Sequence, residues 1–526
     1  MTQTACTISK LSLEFPSKTL FKNLKFNLNQ QLSACIGRNG LGKSCILKIL
    51  HAQNLKDLPY EGEISWNVPH AYLSQFSRLE ADTIASALGV EDLCSAFQRI
   101  EIGNASFEDF ELTENQWYRP ALWQQQLKQA SLPTDLNFPV AQLSEGQKTK
   151  LALCALFLKT DHYLLLDEPS NHLDASSRFW LIDRLKNHPA GAFVVSHDRE
   201  LLQHVEHIYA LNGFGLSHVT GNYEDYVQQN DLQNKALQRN VLQQQRELKQ
   251  LKSQQHKTQM NAQKREQQGH ALRKSGSQAK VLLDFKKEQA GQSLATVQTQ
   301  QQKQLEEKRT QLIQSQQLLE HVKEQKFVFQ HHAEKTGEIL RVKHFHRKTS
   351  QHLPFDLALQ AGEKIHLKGK NGIGKSTFLK YLSQITSQSS HELFLSVHTL
   401  YLDQNLSDLS PELSVLDNLA KFNREVSSTE WRNQLGQLRI RGQKAELPFH
   451  FLSGGERLKV TLLGLNYLTP NIELLLLDEP ENHLDIESRV LLAQAIQHYT
   501  GAVILVSHDA YFVDSCGIQS SVQLVE

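Results

Sequence analysis

The feature that most constrains this chain is repetition: five short motifs occur in one order, then recur in that order in the second half. Such a duplication calls for two copies of one fold, each burying its own core. The 526 residues leave room for about three or four ordinary domains. Two of these are the copies, and something else separates them.

The first motif is Gly37-Arg38-Asn39-Gly40-Leu41-Gly42-Lys43-Ser44, matched by Gly369-Lys370-Asn371-Gly372-Ile373-Gly374-Lys375-Ser376. Both fit G-x-x-x-x-G-K-[ST], a phosphate-binding loop. Each follows an alternating apolar stretch (Leu32–Ile36; Lys364–Lys368) and precedes a predicted helix. The glycines let the backbone curl so that its N–H groups point at phosphate oxygens. Lys43 and Lys375 are placed to neutralise β/γ-phosphates, and Ser44 and Ser376 to ligate Mg²⁺. The second motif is Gln75 and Gln404, each after a short apolar strand. Only their place in the repeat distinguishes them from surface glutamines.

The third is Leu143-Ser144-Glu145-Gly146-Gln147, matched by Leu452-Ser453-Gly454-Gly455-Glu456. Serine followed by glycine at a helix start can bind an anion, or can simply cap the helix. The fourth is an apolar run ending in two carboxylates, Asp167-Glu168 and Asp478-Glu479, each followed by proline. That pattern suits a buried central strand whose tip meets solvent. The aspartate can hold Mg²⁺ through water, and the glutamate can polarise an attacking water. Asn-His-Leu-Asp follows at 171–174 and 482–485. The fifth is His197 and His508, in Val-Ser-His-Asp after a short apolar strand, 29 residues beyond the glutamate in both halves. These positions suit contact with a γ-phosphate.

Between the copies the composition changes. Residues 231–330 hold 26 Gln, 18 Lys/Arg and 9 Asp/Glu, and no proline falls between Pro189 and Pro354. The 56 basic and 56 acidic residues of the chain cancel. The window's net +9 therefore leaves −9 on the rest: a basic segment between two acidic lobes. Gln, Lys, Arg, Glu and Leu favour helix, and its main breaker is missing. Leu237, Val241, Leu248 and Leu251 form one narrow apolar stripe; Leu305, Leu312, Leu319 and Val322 form another. Arg273-Lys274-Ser275-Gly276-Ser277 reads as the turn between them. An antiparallel helical hairpin is expected, with arms of ~40–45 residues and roughly 60–70 Å. Lys264, Arg265, Arg273, Lys274, Lys280, Lys286 and Lys287 near its tip suit phosphate contacts.

No uninterrupted apolar run approaches the ~20 residues of a membrane span. The start, MTQTACTISK, lacks the apolar core of a secretion signal, and the six cysteines form no C-x-x-C pair. A reduced, cytoplasmic protein without a disulfide scaffold or zinc site is the expectation.

Taken together, the motifs resemble the Walker A, Q-loop, signature, Walker B, D-loop and H-loop of ATP-binding cassettes, over nearly the whole sequence. The expected fold class is α/β: two P-loop cassette domains, residues 1–222 and 336–526, joined by a long basic Gln-rich helical hairpin, 223–335. Two cassettes, Glu-Pro-x-Asn-His-Leu-Asp and a charged linker resemble the ABC-F family, soluble ATPases that act on ribosomes. The resemblance implies ATP and Mg²⁺ as ligands and Ser44, Gln75, Asp167, Ser376, Gln404 and Asp478 at the metal. It implies Glu168, Glu479, His197 and His508 as catalytic residues, with Asn39, Gly40, Asn371 and Gly372 in the phosphate loops. It also implies a monomer whose cassettes pair head-to-tail, so that Ser453 and Gly455 complete the first site and Ser144 and Gly146 the second. In that family the linker enters the ribosomal tRNA exit-site region and points towards the peptidyl-transferase centre, touching rRNA and tRNA. Phe15 and Phe345 are candidates for stacking on adenine.

Departures from the family pattern carry expectations of their own. Glu145 stands where glycine is usual and would repel a γ-phosphate if it pointed inward. Glu481 replaces the usual threonine, and Cys45 follows Ser44. Gln75 to Leu143 spans 68 residues against 48 from Gln404 to Leu452, too few extra for a large arm. A housekeeping translation factor and an antibiotic-resistance factor both fit, as does GTP in place of ATP. Two further classes are the ATPase subunit of a transporter with a separate membrane partner and a DNA-associated ATPase.

Overall fold

The computed structural model describes residues 3–15, 18–51, 58–74, 81–171, 173–274, 299–319, 327, 336–345, 355–369, 372–385, 388–389, 393–403, 409–468, 472–482 and 484–524. The chain divides into two compact units, Met1–Asp225 with Gln325–Glu526, and Tyr226–Glu324.

The first unit holds both repeats. In the first, β1 (Thr4–Phe15), β2 (Lys18–Asn29) and β4 (Tyr60–Trp66) make an antiparallel sheet in the order β2-β1-β4. A six-stranded sheet runs β5 (His70–Leu73), β6 (Tyr163–Asp167), β7 (Ala192–Val195), β3 (Leu32–Gly37), β8 (His207–Asn212) and β9 (Gly215–Thr220). It is parallel except for β9. The unbroken apolar run of β6 is buried along its whole length, as a strand covered on both faces must be. The second repeat places β10 (Glu338–Phe345), β11 (Phe355–Gln360), β13 (Gln388–Ser389) and β14 (Leu393–Leu395) in the antiparallel order β11-β10-β14-β13. Its parallel sheet runs β15 (Thr399–Leu402), β16 (Leu474–Asp478), β17 (Ala502–Val506), β12 (Lys364–Lys368) and β18 (Ser520–Gln523). The two parallel sheets share one strand order, as the motif repeat requires.

Each repeat also carries a helical lobe. In the first, α2 (Ile84–Leu88), α3 (Glu91–Glu101), α5 (Arg119–Gln129) and α6 (Glu145–Phe157) pack around the buried Trp123. In the second, α12 (Val415–Phe422), α13 (Ser428–Gln437) and α14 (Gly454–Asn466) pack around the buried Trp431. The extra length in the first repeat is α3 and α4 (Phe107–Thr113), which have no counterpart among the described residues of the second. It is a short helical pair and not a large arm.

The second unit is helical. α9 (Tyr223–Lys274) is 52 residues long, about 78 Å at the α-helical rise and longer than expected. Residues 299–319 form α10. Lys308 pairs with Glu247 at 2.8 Å, and Gln255 donates to Gln302 at 3.3 Å. One index rises as the other falls, so the helices are antiparallel. Val241 and Leu312, one from each expected stripe, are buried. Residues 275–277 of the expected turn and Lys280, Lys286 and Lys287 lie outside the described residues, as do the side chains of Arg265, Arg273 and Lys274.

Candidate active site

Because β6, β7 and β3 are parallel neighbours, their carboxyl ends lie side by side. This brings Asp167 and Glu168, His197 and the Gly37–Ser44 loop together at the sheet edge where ligands of such folds bind. Gly37 has φ +151, and a Cβ there would sit 2.3 Å from the Leu211 carbonyl oxygen. No other residue fits that approach. The loop then feeds α1 (Lys43–His51), whose first turn carries no acid to repel an anion. Lys43 is buried and donates through Nζ to the carbonyls of Gly37 at 2.7 Å and Arg38 at 3.1 Å. Lys375, opening α11 (Lys375–Ser383), donates likewise to Gly369 at 2.6 Å. Burial pulls both lysine pKa values down, and the nearby Glu168 or Glu479 counters it. Gly40, Gly42, Gly372 and Gly374 line these turns with positive φ, followed in each repeat by Ser44 or Ser376.

Glu168 and Glu479 adopt left-handed backbone, with φ 51 and 48. For a non-glycine residue this costs on the order of 1–3 kcal/mol, and here it recurs at the same place in both repeats. Each turn is held by an N–H donated to the strand beside it, Glu168 to Val195 at 2.8 Å and Glu479 to Val506 at 2.9 Å. The turn aims the carboxylate along the edge. Glu168 Oε1 lies 3.6 Å from His197 Nε2, and Glu479 Oε1 lies 3.5 Å from His508 Nε2. Burial pushes the Glu168 pKa up to about 7, against the pull of Lys43 and Arg489. Burial, reinforced by nearby cations, pushes His197 well below its usual range and His508 down to about 4. Both imidazoles are therefore neutral at pH 7.

Asp167 Oδ1 and Asp478 Oδ1 are buried without a hydrogen-bond partner. Asp167 also shares a hydrogen bond with Ser44, and Tyr401 donates its hydroxyl to Asp478 Oδ2 at 2.9 Å. An orphaned carboxylate oxygen beside a serine hydroxyl fits a hard divalent cation that takes its other ligands from water and phosphate.

The cavity over the first site measures about 450 Å³. Its walls include Asn39, Gly40, Gly42, Lys43, Ser44, Asp167, Glu168, Asn171 and His197 of the first repeat, with Leu484 and Arg489 of the second. The repeats are thus joined at the site. Asn39 donates its backbone N–H to Asp485 Oδ2 at 2.9 Å, and Arg38 pairs with Glu487 at 2.7 Å. In the reverse direction Arg178 donates to the His508 carbonyl at 3.2 Å. The Asn-His-Leu-Asp segments stand out in the sequence, whereas Arg178 and Arg489 belong to none of the five motifs. A signal existed: Arg178 and Arg489 each follow the aspartate by four residues, one helical turn on.

Other expected residues stand apart. Ser144 and Ser453 cap their own helices, accepting from Gln147 N–H at 3.3 Å and Glu456 N–H at 3.4 Å. Gly146 lies within α6. A Cβ on Gly455 would lie 2.2 Å from Ser488 Oγ, so a larger residue there would have to turn that hydroxyl aside. Ser453 and Gly455 are not in the cavity lining. Glu145 is exposed and pairs with Lys148 at 2.9 Å along its own helix. Phe15 packs against the first repeat's core. Gln75, Gln404 and Asn371, and the side chain of Phe345, lie outside the described residues.

Twin parallel sheets, each with a phosphate loop and a carboxylate pair at its carboxyl edge, define a tandem ATP-binding cassette protein. The profile of the family described as ABC transporter matches residues 21–171 and 353–482, more than half of the chain. YdiF of Bacillus subtilis (strain 168) is 30% identical over 96% of this chain and 78% of its own. "ATP-binding protein Uup" of Escherichia coli (strain K12) is 28% identical over 96% and 78%. "Ribosome protection protein VmlR" of Bacillus subtilis (strain 168) is 28% identical over 97% and 84%. The chain belongs to the ATP-binding cassette family, in its ABC-F branch. A solved structure described as "Model of ribosome-bound archaeal Pelota and ABCE1" shares the tandem fold, with a TM-score of 0.55 at 18% identity over 98% of this chain and 76% of that one. No helix among the described residues is long and apolar enough to cross a membrane.

Proposed function

We propose that this chain is an ATP-hydrolysing factor that binds the ribosome through its basic hairpin and modulates translation. The observation that carries the reading is the wall of the first site: Glu168, strained and facing His197, shares its cavity with Leu484 and Arg489 of the other cassette. A site built from both cassettes closes or opens as they move, so nucleotide state becomes shape.

On this reading Lys43 and Lys375 give up their loop carbonyls and turn to the β/γ-phosphates. The loop N–H groups and the start of α1 or α11 hold the remaining phosphate charge. Ser44 with Asp167, and Ser376 with Asp478, would hold Mg²⁺, which supplies charge neutralisation at the phosphates when bound. Gln75 and Gln404 would complete those metal sites. Glu168 and Glu479 accept the proton of the attacking water, and His197 and His508, neutral, orient the γ-phosphate. ATP stabilises the joined cassettes by binding that state more tightly than the open one, and ADP lacks the γ-phosphate needed to do so. The domain limits proposed are 1–222, 223–335 and 336–526.

The ribosome enters through two supports. The hairpin segment is the basic part of an otherwise acidic chain, which suits rRNA or tRNA phosphates. A full-length relative is named a ribosome protection protein. The test is gradient sedimentation of the double variant E168Q, E479Q with ATP. Co-migration with ribosomes that weakens steeply with salt is expected. Free protein that instead binds duplex DNA tightly would overturn the reading.

A further inference from the structure

The short strands β5 and β15 carry a tyrosine at equivalent places, Tyr72 and Tyr401, each three residues before the glutamine of the second motif. Register decides what these tyrosines face. Tyr72 pairs with Leu165 of β6, and Tyr401 with Leu476 of β16. Asp167 and Asp478 lie two residues further along those strands, on the same face of the sheet. A phenol is long enough to span that diagonal step. In the second repeat it does so: Tyr401 donates its hydroxyl to Asp478 Oδ2 at 2.9 Å, while Oδ1 is buried without a hydrogen-bond partner. In the first repeat the Tyr72 hydroxyl is itself buried with no partner among the described residues, as is Asp167 Oδ1. Burial, and after it the charge of Asp167, pushes the Tyr72 phenol above its usual range, so at ordinary pH it keeps its proton and is a donor. Both rings pack against the core of their own cassette, which fixes where each hydroxyl can reach.

A buried polar atom without a partner is costly, and it is kept where something else needs it. The carboxylate has two oxygens. When a hydroxyl takes one of them the group cannot turn, and the other oxygen keeps a fixed direction. Carboxylates that ligate metals are themselves hydrogen-bonded in this way, and losing that support weakens the metal. We infer that Tyr72 and Tyr401 are positioning residues: each hydroxyl donates to the aspartate of its own site and holds the carboxylate with Oδ1 left for the divalent cation. The inference rests on the reading of Asp167 and Asp478 as metal residues given above. The second site has its bond in place before nucleotide arrives. The first has the donor waiting beside an aspartate that shares a hydrogen bond with Ser44.

Calorimetry on the full chain separates this role from simple packing. In the chain carrying E168Q and E479Q, K43A disables the first phosphate loop and leaves the second site to be read alone. The quantity measured is the factor by which saturating Mg²⁺ tightens ATP binding relative to ATP in EDTA. By linkage it reports how much more tightly the metal is held in the bound complex than on free ATP. Tyr401→Phe keeps the ring and should cut that factor about tenfold, with the affinity in EDTA unchanged. Tyr72→Phe should do the same for the first site when K375A replaces K43A. A parallel loss of both affinities would make the hydroxyl a packing group and overturn the inference, as would an unchanged factor. Asp478→Asn checks the reading beneath it, and should cut the factor at least as far. If Asp478→Asn has no effect, the metal assignment falls and the positioning role falls with it. If it acts while Tyr401→Phe does not, the aspartate stays at the metal and the role of the tyrosine alone is refuted.

Discussion

Asn39, in the first phosphate loop, donates its backbone N–H to Asp485 Oδ2 of the second cassette at 2.9 Å. The same carboxylate's Oδ1 caps α15 (Ile486–His498), accepting from the Ser488 N–H at 2.9 Å. One side chain therefore fixes a helix in its own cassette and touches the nucleotide loop of the other. Asp485→Asn keeps an oxygen for the cap and can place an amide N–H against Asn39. Charge-assisted bonds of this kind contribute about 1.5–3 kcal/mol. Single-turnover hydrolysis in an E479Q background should fall about tenfold, with the melting temperature little changed. An unaltered rate would show that the contact does not couple the cassettes.

Arg489 reaches the first site from the same helix. It donates to Asp509 at 3.1 Å, lines the cavity beside Glu168 and lowers the Glu168 pKa against the dominant effect of burial. Removing its charge lets that pKa rise further. In the E479Q background, kcat/KM of the parent should climb through about pH 7 as Glu168 ionises. Arg489→Gln should move that midpoint to higher pH. An unmoved midpoint would separate Arg489 from the base.

Glu481 is buried, bonds the Ser507 hydroxyl, and has its pKa raised by burial to about 7. Its folded pKa exceeds the unfolded value of about 4.5, so between these limits the native state holds the extra proton. Stability from this group is full below about pH 4.5 and is lost as pH rises towards 7. The expected loss is at most ~3 kcal/mol. Glu481→Gln should flatten this component of the melting temperature between pH 5 and 7.5. Parallel curves for the two proteins would contradict the buried-acid assignment.

Glu168 and Glu479 carry the hydrolysis in this account. Substituting both with glutamine removes the proton acceptors and leaves the phosphate loops intact. Steady-state turnover should fall at least about 100-fold while ATP stays bound. Turnover near the parent rate would refute these residues as bases.

The motif spacing already placed the strands, because an unbroken apolar run such as Leu164–Leu166 has only a buried sheet to occupy. The hairpin was equally legible from Val241 and Leu312, since one apolar stripe per helix leaves only a partner helix to cover it. What pattern could not show is strain and distant partnership. Nothing in Asp-Glu-Pro announces a left-handed Glu168; that follows from the neighbouring strand holding its N–H. Arg178 and Arg489 acquire meaning only when a second cassette faces them. Phe107 and Phe110 would be assigned to a core by hydrophobicity alone. Their exposure depends on Arg99 claiming Asp109 from another helix.

The most direct test of the central claim, that two phosphate loops in one chain each take a nucleotide, is calorimetric titration of ATP with Mg²⁺ into the E168Q, E479Q chain. Two bound ATP per chain are predicted, falling to one when either K43A or K375A is added and to none with both. Undiminished uptake by the chain lacking both lysines would contradict the account.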